Sequence, residues 1–328
     1  MSLNNLLTNF QNGITSFGAL TFGVGGLLPY GGNYYWVDAT AGSDGNSGGA
    51  HDPFATLDKA YAVCTAENND VVLFNGTQAR TSSLVWAKNK THLIGLCAPI
   101  RRGKRARISV TGSTGFNKLL DVTASGCYFA NFGTFYGWVD ASTSLLAVSD
   151  TGGRNCYDNV EFLGFGNATV STGSSNLTGS RAFKLNTSTG ETTFLNCVFG
   201  VDTTSRNATN YTVEIAGGAP RVTFENCDFE SLLGSSGTSS SHLLVGAAGI
   251  DRYLNMKGCR FMSATKSTGS TMAQSLNVSA SAGGFVLLDQ CTGFGFTHWE
   301  TSASGSVVLN MWTVTAHDGG IAVAASPS

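Results

Sequence analysis

One short motif, repeated at a nearly constant interval, constrains the fold of this chain more than any other feature. It reads TFLNCVF at residues 193–199, TFENCDF at 223–229 and NMKGCRF at 255–261, with looser copies elsewhere. The residues that follow its central turn position are separated by 28, 37, 30, 32 and 32 positions. A fixed motif at a nearly fixed period is typical of repeat architectures, so each copy predicts one structural coil.

The centre of the motif resets the alternation of a β-strand. Val222 and Phe224 point to one face, and Cys227 and Phe229 point to that face again after a shift of one residue. A one-residue bend of this kind needs the left-handed backbone conformation, which Gly, Asn and Asp adopt most easily. The bend positions form a structural turn ladder, in which only the last member departs from this preference: Asn131, Asn159, Asn196, Asn226, Gly258 and Gln290. The motif therefore specifies a turn, and its cysteine fills the core.

Each repeat also contains a second apolar strand upstream of the bend and a glycine turn between the two strands. Three short strands per coil would stack into three parallel sheets. We therefore predict an all-β fold, a single-stranded parallel β-helix of about eight coils. The remaining residues form Ser/Thr/Gly-rich loops on one side of this solenoid.

Charge and cysteine content limit the classes of partner. The 328 residues carry a formal net charge of −2, so no overall field favours nucleic acid or an anionic membrane. The cysteines follow strand positions instead of CxxC pairs, which favours reduced core residues over disulfides or metal ligands. The first residues lack the pattern of a secretory signal or membrane span. We expect a soluble protein made in a reducing cytoplasm, with no membrane and no specific nucleic-acid partner.

The sequence divides into four segments. Residues 1–33 form an N-terminal arm, 34–97 the start and cap of the β-helix, 98–316 its coils and 317–328 a C-terminal tail. The arm is uncharged, and its candidate interaction residues are Leu3, Leu6, Leu7, Phe10, Phe17, Phe22, Leu27 and Leu28. Apolar surface of this size favours docking on another protein or oligomerisation with sister chains. The alternative is a strand pair packed on the domain's own N-terminal end.

The segment after the arm predicts a capping helix for the open end of the solenoid. Asp52 and Pro53 fit an N-cap and a first helical position. The apolar face that follows comprises Phe54, Leu57, Tyr61 and Cys64. Asp44, Asn46 and Asp52 could also bind calcium, but their spacing lacks a full EF-hand pattern, so turn and capping roles are favoured.

Residues 34–97 also resemble a known protein family. The runs YWVDATAGSDGNSG, DPFATLDKAYAVC, NDVVLF and NKTHLIGL are similar to the opening segment of right-handed parallel β-helix proteins of the pectate-lyase-like superfamily. That segment has a Tyr-Val strand, a Gly-Ser-Asp-Asn turn, a Pro-Phe-x-Thr-Leu helix and a first hydrophobic-x-Gly strand in this order. The resemblance implies the right-handed form of the β-helix. It implies little about chemistry, because the same scaffold serves lyases, hydrolases, adhesins and phage spikes.

With its apolar arm and no obvious active site, the chain is similar to phage virion proteins of this superfamily. The resemblance implies a capsid-associated decoration or other structural protein, anchored by its arm and assembled into virions in the bacterial host cytoplasm. The expected partners are sister chains in a homotrimer, other virion proteins such as a major capsid protein, and surface glycans. Two alternatives remain open: a tailspike-type glycan-degrading enzyme, and a host-glycan adhesin that uses its Ser/Thr-rich loops and Trp299 or Trp312.

The best acid–base candidates are Glu225 and Asp289. Both are predicted to face outward before the bend, two coils apart or about 9.6 Å, near the upper range for an inverting pair of carboxylates. Lys257 falls between them and Arg260 falls beside Asp228, which is typical of a cross-strand charge ladder. The charge ladder is the favoured interpretation, so we assign no catalytic residue.

Five of the nineteen basic residues lie in one short run, PIRRGKRAR: Arg101, Arg102, Lys104, Arg105 and Arg107. This basic patch could contact phosphates, anionic glycans or an acidic capsid lattice. Without interleaved aromatic residues, a solvated loop between strands is favoured. The five histidines fall at unrelated coil positions, so we expect no metal site, and no motif indicates a cofactor.

Overall fold

Parallel strands dominate the computed structural model, which describes residues 15–16, 19–20, 32–112, 116–138, 146–165, 179–206, 210–234, 239–265, 271–300 and 307–308. Sheet 1 stacks ten strands in the order Tyr34–Asp38, Asp70–Asn75, Thr91–Gly95, Tyr128–Ala130, Cys156–Asp158, Glu191–Leu195, Ala219–Glu225, Ile250–Lys257, Phe285–Asp289 and Val307–Val308. Sheet 2 stacks Thr77–Ala79, Arg107–Gly112, Gly133–Trp138, Glu161–Phe165, Val198–Phe199, Asp228–Leu233, Arg260–Thr265 and Thr292–Phe294, with Ser205–Arg206 beside the sixth of these. Sheet 3 stacks Leu84–Trp86, Lys118–Val122, Leu146–Asp150, Arg181–Asn186, Tyr211–Ala216, Ser241–Val245 and Leu276–Val278. Two small sheets pair Thr15–Ser16 with Ala19–Leu20 and Met272–Gln274 with Phe296–His298.

The chain visits sheets 1, 2 and 3 in turn, and each strand pairs in parallel with the strand one coil later. Seven coils contribute a strand to all three sheets within the described residues. The register stacks equivalent positions, so that Phe194 lies beside Phe224 and Phe224 beside Met256. The predicted all-β parallel β-helix is confirmed, and each outward residue type forms a column along the axis.

The tight bends between sheets 1 and 2 have the predicted left-handed conformation. All six bend residues have φ between 52° and 62°, including Gln290. The hydrogen bonds between the side chains of the bend residues do not run along the whole column of bends. Asn159 donates to Asn131 Oδ1 at 3.0 Å, but Asn196 donates to Asp158 Oδ1 at 3.2 Å. The bends therefore depend on backbone conformation more than on one continuous asparagine network.

Stacked aromatic rings fill the core. One stack has centroid separations of 4.9, 5.1 and 4.5 Å and consists of Phe129, Tyr157, Phe194 and Phe224. A second has separations of 4.9, 5.0 and 4.7 Å and consists of Phe162, Phe199, Phe229 and Phe261. All eight cysteines are free. Those of the central motifs are buried beside these rings, in the core position that the sequence predicts for them.

The capping helix begins later than predicted. It spans Leu57–Val63, and its N-cap is Thr56, whose hydroxyl accepts a backbone hydrogen bond of 3.2 Å from the first turn. The prediction that Asp52 is the N-cap is wrong, because Phe54 donates its backbone N–H to the carbonyl of Trp36 and so continues the sheet. Leu57 is fully buried, so the helix packs on the first coils as expected of a cap.

Candidate functional site

The two acid–base candidates lie in one outward column of sheet 1. Glu225 pairs in register with Lys257, and Lys257 pairs in register with Asp289. The two carboxylates are therefore two strand spacings apart, about 9.6 Å at the backbone. A substrate that bridged both acids would have to pass over the ammonium group of Lys257.

Asp228 lies at the centre of a charged cluster on sheet 2. Its side chain is only 1% exposed and contacts the guanidinium groups of Arg101, Arg102 and Arg260. Arg260, from the next coil, makes a bidentate contact with donor–acceptor distances of 2.8 and 2.7 Å. Arg102 also forms an ion pair with Glu230. The cross-strand pair of Asp228 and Arg260 is present, and two arginines from a distant loop join it.

The loop that supplies those arginines is called here the basic strap, residues 98–105. It crosses the outer face of sheet 2, where Glu161 accepts hydrogen bonds of 2.8 and 3.1 Å from the backbone N–H groups of Gly103 and Lys104. The outward column from Arg107 to Asp228 advances four strand spacings, about 19 Å. The strap therefore ties the second coil of the solenoid to the sixth.

Lys104 does not fit the interpretation of this loop as solvated. Its side chain is fully buried, and Nζ donates to the carbonyl oxygens of Ile100 and Arg101 at 2.6 and 3.0 Å. Burial lowers the pKa of Lys104, and the nearby carboxylate of Glu161 opposes that shift. For this residue the solvated-loop prediction is wrong, whereas Arg105 is exposed.

A second charged cluster, on sheet 3, was not predicted. Arg181 is buried and donates to Glu214 Oε2 at 2.9 Å and to Asn210 Oδ1 at 2.6 Å. Its guanidinium carbon lies 4.9 Å from the ring centroid of Tyr211, and Lys184 pairs with Glu214 at 2.7 Å. Burial lowers the pKa of Arg181, and Glu214 opposes that shift.

The sequence did hold a signal for this second cluster. Lys184 and Glu214 are 30 positions apart, the same interval that separates Cys197 from Cys227. The structure places Lys184 and Glu214 in register on neighbouring coils. If the repeats are aligned along their whole length, and not only at the bend, Lys184 and Glu214 fall at equivalent positions of neighbouring coils.

An open pocket of about 440 Å³ lies on the outer side of sheet 1. Its lining comprises Arg154, Asn155, Cys156, Gly190, Glu191, Thr193 and Arg221. Arg221 pairs with Glu191 at 2.9 Å, and Arg154 has a left-handed backbone with φ of 56°. The column of Arg221 continues through Tyr253 to Phe285, which is 55% exposed. This surface combines guanidinium donors with an aromatic row.

The residues weighed as calcium ligands serve turns. Asp44 accepts hydrogen bonds from the backbone N–H and the hydroxyl of Thr56 at 2.9 and 2.8 Å, and Asp52 accepts one from Ser47 N at 2.8 Å. Asn46 donates to a backbone carbonyl at 2.9 Å. Among the described residues, no group of three or more potential ligands is placed to hold a metal ion. In the same part of the chain, no helix has the length and apolar character needed to cross a membrane.

Several predicted interaction residues lie outside the described residues. These are the eight apolar residues of the arm, Trp312 and the centres of the Ser/Thr-rich loops. Trp299 is described and half-buried, with its ring centroid 5.4 Å from that of Phe261 and 5.0 Å from that of Phe296. These contacts make Trp299 part of the core margin, which leaves less of its ring available for a sugar.

Comparison with known proteins gives similarity in fold only. No protein-family model matches the chain, and no curated protein matches it. The chain is similar to a pectin methylesterase variant in complex with a hexasaccharide, at 15% identity over 82% of this chain and 81% of that chain, with a TM-score of 0.49. A pectin methylesterase from Erwinia chrysanthemi is 16% identical over 80% of this chain and 81% of that chain, with a TM-score of 0.46. A pectate lyase is 12% identical over 85% of this chain and 80% of that chain, with a TM-score of 0.44. At these values nothing about activity follows, and the fold is established by the strand register of the chain itself.

Proposed function

We propose that this chain is a non-catalytic structural protein of a bacteriophage particle. The observation that supports this role is that cations contact or flank the outward carboxylates. Asp228 contacts three arginines, Glu214 contacts an arginine and a lysine, and Lys257 lies between Glu225 and Asp289. Hydrolysis of a glycosidic bond needs two carboxyl groups that face one substrate. The charges of the described faces therefore favour a scaffold over a catalyst.

Attachment to the particle is assigned to the N-terminal arm. Residues 1–33 carry no charged side chain, and residues 17–33 are mostly apolar and glycine-rich, a composition that suits burial against another protein. The proposal is a capsid-associated decoration protein that forms a homotrimer and contacts other virion proteins such as a major capsid protein. It would assemble in the bacterial host cytoplasm.

Deletion of residues 1–33 tests this role. The truncated chain should keep the circular dichroism spectrum of the β-helix but lose incorporation into particles and change its oligomeric state. A full-length Arg252→Gln protein, altered at a half-exposed side chain, serves as the control. If incorporation and the mass measured by light scattering are both unchanged by the deletion, the anchoring role is wrong.

Glycan binding is the second candidate function, and the pocket on sheet 1 favours it. Ligand sites commonly combine a few polar groups with apolar and aromatic surface. Here Arg221 lines the pocket, and Tyr253 and Phe285 follow it in the same column, beside the pocket. A glycan array probed with the native protein and with Phe285→Ala tests an adhesin, because only the native protein should bind. Cleavage of a bound polysaccharide that is lost in Glu225→Gln and Asp289→Asn would instead support a tailspike-type enzyme.

A further inference from the structure

A second hydrophobic cluster lies outside the core of the β-helix. In the first four strands of sheet 1, alternate residues face the core, among them Val37, Phe74 and Phe129. The residues between them form a separate cluster, called here the outer apolar patch: Tyr34, Trp36, Val71, Leu73, Ile94, Leu96, Tyr128 and Ala130. Its inner members are at most 7% exposed although they lie on the outward face of the sheet.

The same columns become polar farther along sheet 1. The column of Trp36, Leu73, Ile94 and Ala130 continues as Asp158, Leu195, Glu225, Lys257 and Asp289. The neighbouring column passes from Tyr128 through Cys156 to Thr193, Thr223 and Asn255. A sheet face in contact with water carries polar side chains, as the second half does. The first half is apolar except for the buried His92, which pairs in register with Val71, and it is therefore built to be covered.

The patch also has a recess at its margin. Four members of the patch are half-buried: Tyr34, Trp36, Leu96 and Tyr128. An open groove of about 320 Å³ is lined by Trp36 and Leu96 of the patch and also by Ala50, Pro53 and Asn75. A segment lying on the patch could place apolar side chains in this groove.

The continuous described part of the chain, which begins at residue 32, starts at the edge of this patch. Asn33 donates its backbone N–H to Asp70 Oδ1 at 2.7 Å, and its carbonyl accepts a 2.8 Å hydrogen bond from Val71 N. Tyr34 then pairs in register with Val71, a member of the patch. Residues 1–31 contain no charged residue and join the fold at this edge. Such a segment can reach up to roughly 100 Å, whereas four stacked strands are about 14 Å high.

We infer that the outer apolar patch is the docking site of residues 1–31 of the same chain in the free protein. A tethered segment meets its site at an effective concentration in the millimolar range, which favours it over a second copy at lower concentration. Apolar burial drives the contact, and an uncharged segment brings no ion that must be desolvated. The inference goes beyond the proposed function, because it concerns the molecule before it meets a particle.

Photo-crosslinking of the isolated full-length protein tests this inference. Benzoylphenylalanine is introduced in place of Trp36 in one variant and in place of Leu96 in another. After irradiation, mass spectrometry should find crosslinks to peptides within residues 1–31, in a product with the mass of a single chain. The same probe in place of Lys257, in the polar half of the Trp36 column, is the matched control and should give no such crosslink.

Mixtures of isotopically labelled and unlabelled protein identify the chain that supplies the segment. Crosslinks between different chains only would overturn the assignment to the same chain. Crosslinks to other regions, or equal yields from the probe at Lys257, would overturn the docking site itself. Neither of these measurements depends on incorporation into particles. A negative result would therefore contradict the docking inference without bearing on the proposed role in the particle.

A second measurement avoids any change in the patch. In the full-length protein, Leu27→Ser combined with Leu28→Ser should weaken docking and raise the fluorescence of a bound hydrophobic dye severalfold. The matched control, Ser2→Ala combined with Thr8→Ala, should leave the fluorescence unchanged. Dye binding that is equal in the Ser variant and the native protein would contradict the inference.

Discussion

Arg101 and Asp228 are 127 positions apart in the sequence, yet Arg101 Nε lies 3.1 Å from Asp228 Oδ2. Contacts in a solenoid mostly join neighbouring coils, whereas this one joins the basic strap to a strand four spacings away in sheet 2. Arg101 also donates to the carbonyl of Asn226 at 2.6 Å, next to the bend. Asp228 thus holds the middle of the strap, together with the buried carboxylate of Glu230, which pairs with Arg102.

Replacement of Asp228 by Asn should lower the free energy of unfolding by about 2 kcal/mol. Loss of one partner from a buried ion pair costs about 3–5 kcal/mol, but the three arginines are 33, 45 and 50% exposed, and water recovers part of that cost. Urea unfolding measures the change, and amide hydrogen exchange should accelerate in residues 98–105. Asp251→Asn, at an exposed carboxylate 3.8 Å from Arg252, should cost less than about 0.5 kcal/mol. Equal losses in the two variants would contradict the role of the strap.

Gln290→Gly should stabilise the fold slightly. Gln290 has an exposed side chain and φ of 56°, a conformation that costs a residue with a side chain about 1 kcal/mol. Glycine removes that cost. Because glycine loses more conformational entropy on folding, about half of the gain in stability is offset. Thermal unfolding should therefore show an increase of about 0.5 kcal/mol. The same change at Gln274, the last residue of a strand, should be destabilising. A Gln290→Gly protein that is less stable than the native one would show that the backbone of Gln290 is not strained.

His92 should make stability depend on pH. Its Nδ1 accepts a 3.0 Å hydrogen bond from the backbone N–H of Tyr128, and burial lowers the pKa of His92 from 6.5 to about 4. Between these values the unfolded chain binds a proton that the folded chain does not. Above pH 6.5 neutral His92 therefore does not lower the free energy of unfolding. As the pH falls from 6.5 toward 4, the free energy of unfolding decreases by up to about 3 kcal/mol.

The variant His92→Asn isolates this effect, because its carbonyl oxygen can accept the same hydrogen bond without titrating in this range. Urea unfolding at several pH values between 4 and 7 should show a flatter profile for His92→Asn than for the native protein. His51→Asn, at an exposed position, should leave the native profile unchanged. Parallel profiles for the native and His92→Asn proteins would mean that His92 does not cause the dependence.

Reducing agents should leave the thermal midpoint unchanged, because all eight cysteines are free. In the folded protein a thiol reagent should reach the half-exposed Cys97 and Cys156 before any other cysteine, and in urea it should react with all eight. Cys227→Ala should cost about 1 kcal/mol through a small cavity in the core. A midpoint that falls on reduction would show that disulfides form in this core.

The fold was predictable because its determinants are local and repeated. Asn226 and its equivalents need a left-handed bend, and that need can be read from a few neighbouring residues and a period. The start of the capping helix was missed because two signals compete: Asp52-Pro53 fits an N-cap, but Phe54 continues the sheet and moves the cap to Thr56.

The charged clusters were harder to predict because their partners are remote or belong to a strand outside the motif. Lys104 lies in the most basic run of the chain, which favours solvent, and its burial depends on contacts between the strap and Glu161, 57 positions away. Arg181 and Glu214 lie in sheet 3, where no bend residue marks the register. Composition alone cannot distinguish an exposed charge from one that is buried against a partner in another coil.

The basic strap also implies a time order in synthesis. A ribosome that adds 5–20 residues per second would make Asp228 about 6–25 seconds after Arg101. During this interval the first coils can stack on one another through neighbouring contacts, while the arginines of the strap have no carboxylate to bind at their final position. The strap should therefore close over coils that have already formed, once the sheet 2 strand of the sixth coil is in place.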